Sequence, residues 1–529
     1  MLMFVSNPKP AESSGSLPFS DNFNDGIADG WTEHLGTWSV VNGEYFVSVG
    51  MVENGISTVN ELNLTDCIIE TKLRFADTEV GFRAGIVFRY FDNENYYAFE
   101  LSNEYDCLQL DTYCPGHSDY GVHIVAIVPG GYPIQPDTNY LLKVVVQGGT
   151  FRCFVNNQEV LSGIDGNYTS GKVGLRARRA HAFFDDFKVL SIPKTITVPD
   201  DYATIQEAIN RANEGDTVFV RNGTYCENVV ANKTISLVGE KGAVIDGNYA
   251  GTVVKIASNN VTVTGLTIVK SHNLKYGIDM SYTNSCIIRN NTIANNEEGI
   301  HLEYSWFNSV VQNVLVENER AIFLQASPYT NVSKNIIENN NVGITCFGSG
   351  SDICWISGNI ITWNHLGIFL HWCDGKLIIG NDITNNGCGI SEIEASCNTI
   401  FHNNIVNNSI QAYGVTLARN YWDNSCEGNY WSDYNGTDSD GDGIGDIPYM
   451  VGLSNQDNYP LMNPYWNPSD INHDLKVDLK DVYKTALAYG SYPSHPKWNP
   501  HCDINEDATV DLKDYYTVCR NFGEEYSLG

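Results

Sequence analysis

Two runs of acidic residues in this chain have the spacing of a cation loop. Asp470, Asn472, Asp474, Asp478 and Asp481 fall at positions 1, 3, 5, 9 and 12 of one stretch, with the Lys476 carbonyl at position 7. The pattern recurs 33 residues on as Asp503, Asn505, Asp507, Asp511 and Asp514, with the Thr509 carbonyl. A hard divalent cation takes six to eight oxygens, and a loop so spaced brings them to one point, so the implied chemistry is calcium binding. Position 6, where a sharp turn favours glycine, holds Leu475 and Ala508, at about 1 kcal/mol of backbone strain per loop. A third stretch, Asp438, Asp440, Asp442 and Asp446, has Gly443 in that place but no carboxylate at position 12. The competing reading of all three is a solvated acidic turn. Meeting the spacing twice over favours the loops.

A second set of reactive side chains recurs with a period of its own. Following each Gly-Ile or Ala-Ile step, alternate residues form two outward columns if the segment is a strand. The first reads Asp279, His301, Phe323, Thr345, Phe369, Ser391; the second reads Ser281, Glu303, Gln325, Phe347, His371, Ile393. Trp372 and Asp374 adjoin them, and Glu392 and Glu394 follow the last step, where a slip of register is allowed for. Carboxylates, imidazoles and aromatic rings on one flat surface suit a polysaccharide, whose rings stack and whose hydroxyls bond to acids. Asp279 and Glu303 would stand about 8 Å apart, within the range of an inverting glycosidase pair. His301 and His371 complete the catalytic candidates; Phe323, Phe369, Trp372, Gln325, Glu392 and Glu394 are the substrate-binding ones. A β-eliminating lyase needs a cation at the developing enolate. The columns contain no Lys or Arg, although Lys270 and Lys275 are near and calcium could substitute. An ordinary solvated face is the competing reading, and glycan binding without turnover stands between the two.

The elements that position these residues repeat. An Asn-x-Ile/Leu step recurs at Asn291, Asn313, Asn335, Asn359, Asn381 and Asn403, at spacings of 22, 22, 24, 22 and 22 residues. The small-plus-apolar step keeps pace at Gly277, Gly299, Ala321, Gly343, Gly367 and Gly389. Short β-branched runs lie between Asn- and Gly-rich corners, and no repeat has room for a helix, so the fold is a parallel β-helix rather than a helical or leucine-rich solenoid. Stacked coils pair at about 4.8 Å, and the asparagines should form a ladder at one corner. Before the coils, Thr204 and Glu207 form a capping box, and Ile205, Ala208, Ile209 and Ala212 make one apolar stripe. That is a helix fit to cover the solenoid's open hydrophobic end. The stretch 196–227 resembles the entry of pectate-lyase-like right-handed β-helix proteins. The exit, with Gly428-Asn-Tyr-Trp-Ser-Asp-Tyr434, the acidic run from Asp438 to Asp446 and Asp457-Asn-Tyr-Pro-Leu461, is similar to that of NosD-like β-helix proteins. That resemblance implies carbohydrate binding or sugar hydrolysis. The group's namesake is linked to copper, but six methionines and no His/Met cluster argue against a copper site here.

Residues 17–192 read as alternating strands between Gly, Asn and Asp turns, an all-β sandwich. Phe19-Ser-Asp-Asn-Phe23, Gly30-Trp31, Gly36-Thr-Trp38 and the closing Phe184-Asp-Asp-Phe187 resemble concanavalin/laminin-G-like jelly rolls. The resemblance implies glycan binding or a purely architectural role. Arg89, Tyr90, Tyr97 and Arg178 are the sugar-facing candidates, with a structural role for the aromatics as the alternative. At the other end, the two copies of the acidic unit, each leading into a helix (479–489 and 512–522), look like a type I dockerin module. Such modules dock on a cohesin partner through residues like Leu479-Lys480 and Leu512-Lys513, the same pair twice. A free-standing, calcium-stapled tail is the alternative.

The expected order is a flexible segment (1–16), jelly roll (17–192), right-handed parallel β-helix with its capping helix (195–458), Pro-spaced linker (459–469) and dockerin-like module (470–525). At 529 residues the chain is too long for one core. A formal net charge of -32 argues against nucleic acid or an anionic membrane as partner. No apolar run is long enough to span a bilayer. The start reads like the trimmed end of a signal peptide, and nine Asn-x-Ser/Thr sequons agree with export. Of the 14 cysteines, Cys107/Cys114, Cys388/Cys397 and Cys502/Cys519 are close enough in sequence for disulfides, with buried thiols as the alternative. The expectation is an extracellular, calcium-dependent, carbohydrate-binding modular protein, acting as a polysaccharide hydrolase or lyase or else only binding. The third class is a structural or adhesin β-helix protein.

Overall fold

The computed structural model describes residues 17–50, 54–76, 83–102, 105–115, 121–271, 275–348, 353–414, 419–452, 454–465, 471, 477, 479–493, 495–499, 502–504 and 508–520. The chain is almost entirely β and divides into two compact units, the first ending at Lys194 apart from the short stretch Asn213–Asp216.

The first unit is a sandwich of an eight-stranded and a seven-stranded antiparallel sheet. Strand Cys67–Phe75 shows why: its burial alternates strictly, putting Cys67, Ile69, Leu73 and Phe75 inside. Arg89 and Tyr97, expected to face sugar, are instead part of this framework. Arg89 is buried and donates to the carbonyls of Tyr168, Thr65 and Gly148, tying three loops together. Tyr97 lies between the sheets against Phe88 and Phe151, its hydroxyl donating to Asp165 at 2.7 Å. Tyr90 is buried on the outer side of the seven-stranded sheet, and Arg178 is half-buried at a strand end.

The second unit contains a parallel β-helix with three sheets of ten, ten and nine strands among the described residues. Each coil gives one strand to each sheet, and one aliphatic residue per strand stacks inward: Ile288, Val310, Val332, Ile356, Ile378 and Ile400 in the first, Ile293, Leu315, Ile337, Ile361, Ile383 and Ile405 in the second. Among the described residues the asparagines form two long ladders rather than one, besides a short stack of Asn398 on Asn420. In the first, each side chain from Asn291 to Asn403 hands its amide to the next coil and accepts from the previous one. The second runs from Asn296 through Asn318, Asn340, Asn364 and Asn386 to Asn408. The residue just before most ladder positions has a positive φ (Gln312, Lys334, Glu317, Asn339), so each corner is a left-handed residue followed by a stacked amide. That device closes two turns per coil at constant geometry.

Helix α1 (Ile205–Arg211) covers the first coil with Ile205, Ala208 and Ile209. The solenoid itself caps both helix ends. The Glu227 carboxylate accepts from the N–H groups of Ile205 and Gln206, and Lys233 Nζ donates to the carbonyls of Ile209, Asn210 and Ala212. At the far end Trp422 and Trp431 fill the core, and Asp457 terminates the first ladder by accepting from Asn429 N and Trp431 Nε1.

The three cysteine pairs are not disulfides. Cys107 and Cys114 lie at opposite ends of the extended strand Cys107–Tyr113, about 20 Å apart, where a bridge needs Cα atoms within about 7 Å. Cys388 opens a strand of the third sheet and Cys397 lies beyond its far end, with the same result. Cys502 is buried while Cys519 is exposed.

Candidate functional site

The third sheet of the β-helix holds the two expected columns in register. Asp279, His301, Phe323, Thr345, Phe369 and Ser391 occupy successive rungs, beside Glu303, Gln325, Phe347, His371 and Ile393. The register does not slip at the last coil. Glu392 therefore takes the inward place of Leu370 and is no substrate-facing residue: it is sealed in the interior, accepting from Asn420 and Asn455, and burial pushes its carboxyl up to about 8. Glu394 stays outside and accepts from Trp372 Nε1.

The small residue of the Gly-Ile step is a packing requirement: a Cβ on Gly299 would lie 2.5 Å from the Ala321 carbonyl. The backbone folds in at that point, so residues on both sides of the step reach the outer face. This adds a third column, Tyr276, Glu298 and Arg320, immediately before the step. Strict alternation assigns these positions elsewhere and so misses them; the signal available is their own recurrence one residue before Gly277, Gly299 and Ala321. The face is thus not devoid of cations. Arg320 stands on it.

At its N-terminal end the face is a grid of three rungs by three columns: Tyr276, Asp279, Ser281; Glu298, His301, Glu303; Arg320, Phe323, Gln325. His301 is at the centre. Its ring is stacked between Tyr276 (centroids 4.0 Å apart) and Phe323 (5.1 Å). Its Nδ1 lies 2.6 Å from Glu298 Oε2, and Glu298 Oε1 is paired with Arg320 Nη1 at 2.5 Å. The other nitrogen, Nε2, is buried with no hydrogen-bond partner among the described residues and lies 3.9 Å from Glu303 Oε2. Asp279 Oδ1 accepts from both the N–H and the hydroxyl of Ser281. Burial, then the carboxylates of Glu298, Asp279 and Glu303, raises the pKa of the Tyr276 phenol, so all three acids converge on this point.

From the grid a band of rings crosses the sheet. Phe323 is followed by Phe347 at 6.2 Å, which meets His371 at 5.2 Å and Trp372 at 5.8 Å, while Phe369 lies 5.4 Å from His371. Trp372 is 47% exposed and the rings before it are half-buried, so the band is accessible along its length. Asp374 is tied to the next coil, accepting from the N–H and hydroxyl of Ser396.

Of the acidic loops, the run from Asp438 is described in full. The carboxylates of Asp438, Asp440 and Asp442 lie within 4.8 Å of one another. Asp438 accepts from the N–H groups of Gly441 and Gly443, which holds the loop curled around them. Asp446 turns instead to Thr437 and Ser439, whose hydrogen bonds hold it below the usual carboxylate range. An all-oxygen set of this kind fits a hard cation and not a soft one. In the tail, Asp470, Asn472, Asp474, Lys476, Asp478, Asn505 and Asp507 lie outside the described residues. Asp481 and Asp514, at position 12 of each copy, are fully buried in the first turns of helices α2 (Leu479–Ala488) and α3 (Leu512–Arg520). Asp514 accepts from Ile504 N and Asp511 N, Asp503 accepts from Ala508 N, and Ala508 has the left-handed φ of 63° its position demands. The carbonyl of Thr509 follows directly in this turn.

The family described as periplasmic copper-binding protein (NosD) matches residues 209–352 and 346–436 of this chain. A cell surface glycoprotein of Methanothermus fervidus is 32% identical over 105 residues, which are 19% of this chain and 17% of that relative. The chain therefore spans only a small part of the curated protein it matches. Among solved structures, carbohydrate-binding module CBM66 from Bacillus subtilis is 20% identical, covering 31% of this chain and 96% of its own, with a TM-score of 0.28. A protein of unknown function with a galectin-like fold, also from Bacillus subtilis, is 16% identical over 34% of this chain and 98% of its own, with a TM-score of 0.28.

Proposed function

We propose that this is a surface or secreted carbohydrate-binding protein whose β-helix holds an extended polysaccharide across its third sheet. The observation that carries this reading is the band of half-buried to exposed rings from Phe323 to Trp372, which ends at a cluster of carboxylates around His301. Trp372, about half exposed, offers a stacking platform to a sugar, the half-buried rings before it offer apolar edges, and the flanking Gln325, Glu303 and Glu394 offer hydroxyl partners. The surface-glycoprotein relative and the NosD match support the extracellular assignment. Calcium belongs to the same reading: Asp438, Asp440 and Asp442, and the two tail loops, would hold the ion and rigidify the segments after the last coil. Leu479 and Leu512, at equivalent places in the two copies, are 72% and 68% exposed, which supports a tail that docks on a cohesin-like partner.

The test is binding of the full chain to immobilised polysaccharides, neutral and acidic, with and without a chelator. The Phe347→Ala, Trp372→Ala double variant should bind its best glycan about 5- to 150-fold more weakly, since each ring contact is worth roughly 0.5–1.5 kcal/mol. Chelation should lower the melting temperature of the C-terminal part. Equal affinity of variant and parent would remove the face as the binding surface. No affinity for any glycan would leave the adhesin or structural class.

A further inference from the structure

We propose that the grid around His301 is a hydrolytic centre for a neutral glycan, in which Arg320 and Glu298 fix His301 so that its Nε2 serves Glu303. This rests on the glycan reading of the face and adds turnover to it. A solvated surface histidine would turn freely. His301 cannot, being held by ring stacking on both sides and by Glu298 at Nδ1, with Glu298 itself held by Arg320. The outcome is one buried nitrogen with no partner, aimed at a carboxylate that is itself partly open to solvent. A gap of 3.9 Å is too long for a hydrogen bond, but once Glu303 swings on its half-open side chain a single oxygen can bond both groups.

The chemistry that fits is inverting hydrolysis. Asp279 lies one rung below His301, and Glu303 two residues along the strand, a backbone separation of about 8 Å that is on the scale of an inverting carboxyl pair. Water adds its oxygen to the anomeric carbon as the bond from that carbon to the leaving sugar oxygen breaks. Asp279 takes the proton released by the water, and Glu303 delivers one to the leaving oxygen. His301, carrying a proton on each ring nitrogen, passes the Nε2 proton to Glu303; Asp279 then releases its proton to solvent and solvent returns one to His301 Nε2, closing the cycle. Within the grid Arg320 is engaged by Glu298 and so is not free to meet the carboxylate of a uronate, as elimination would require. With the partly exposed Glu303 at this surface and the carboxylate of Asp279, 8% exposed, just beneath it, a neutral chain is favoured over a polyanion.

The experiment uses the full chain with xylan, mixed-linkage β-glucan, levan and polygalacturonate, following new reducing ends, unsaturated products and product anomer. Hydrolysis of a neutral glycan with inversion is expected. Glu303→Gln should lower kcat by about 10²–10⁴-fold with binding retained, the range for losing a general acid. Glu298→Gln should lower kcat with KM unchanged and shift the pH profile of kcat, and Glu298→Asp should restore part of the rate. Binding of a neutral glycan without reducing ends would overturn hydrolysis while leaving the binding reading intact. Unsaturated product from polygalacturonate would overturn it in favour of elimination. An active Glu298→Gln protein with parental kcat and pH profile would remove the positioning role, and absence of binding altogether would remove both readings.

Discussion

Each unit of this protein contains an arginine–glutamate pair beside aromatic rings, and the two pairs are built for different ends. In the sandwich, Arg176 bonds Glu100 with both side chains all but excluded from solvent (1% and 0% exposed), and the guanidinium lies 4.5 Å from the Tyr113 ring. In the β-helix, Arg320 bonds Glu298 with the arginine 46% exposed and the glutamate 10%. The first pair is sealed and can meet no solute, so its work is to fix strands. The second is open at both ends, with Glu298 and His301 buried between the exposed Arg320 and Glu303, which is 30% exposed, so the ion pair is coupled through His301 to a group that a ligand can touch. An ion pair becomes a candidate for chemistry when it connects interior to surface.

The largest effect that would break this comparison is in the sandwich. Glu100→Gln leaves Arg176 buried without its counter-charge, and unpaired buried charges cost about 3–5 kcal/mol. Denaturant unfolding of this variant should show a destabilised first transition, with the midpoint of the β-helix unmoved. Replacing both partners, Arg176→Met with Glu100→Leu, should recover most of that loss, because apolar pairs of similar volume substitute for buried ion pairs. A Glu100→Gln protein as stable as its parent would mean water reaches the pair, and the contrast would collapse.

An intermediate case sharpens it. Glu392 is a sealed carboxyl in the β-helix, raised by burial to about 8 against an ordinary value of 4.5. The folded protein holds this proton where the unfolded chain has released it, so stability falls as pH rises from about 4.5 to about 8. Asp457 and Asp382, both raised by burial to about 6, act with the same sign over a lower window. Glu392→Gln, an uncharged mimic of the protonated acid, should leave the fall of melting temperature below about pH 6 and flatten it between about pH 6 and 8. An unchanged slope in that upper window would show that Glu392 is not held neutral.

The β-helix is legible in the sequence because each marker has one physical role that every coil repeats. Asn291 to Asn403 saturate a corner, and Gly277 to Gly389 admit a close backbone approach. The second ladder is less visible, since Asn296, Asn318 and Asn340 sit among other asparagines. The outward columns follow from two-residue alternation and hold wherever the strand is regular. They fail where it is not: Glu298 and His301 are three residues apart yet meet on one face, because the chain folds in at Gly299. The same alternation puts Glu392 inside, and only the allowance for a slipped register brings it out. In the sandwich, Arg89 and Tyr97 lie on strands buried on both faces, where alternation says nothing about which way a side chain points.

The smallest effect expected is also the most direct test of the contrast, because it applies the same substitution to the open pair. Glu298→Gln removes one charge from a pair whose arginine is half in water, where such pairs contribute about 0–1 kcal/mol. The glutamine carbonyl can still accept from His301 Nδ1, so the ring stays stacked between Tyr276 and Phe323 while the negative charge and the Arg320 pairing behind it are lost. The β-helix should therefore unfold within about 1 kcal/mol of the parent, several-fold less than the loss from Glu100→Gln. A matching loss at both sites would mean that Glu298 is as sealed as Glu100 and braces the sheet rather than serving His301. A small loss of stability, beside a large loss of any activity found, is the signature of an ion pair that faces a ligand.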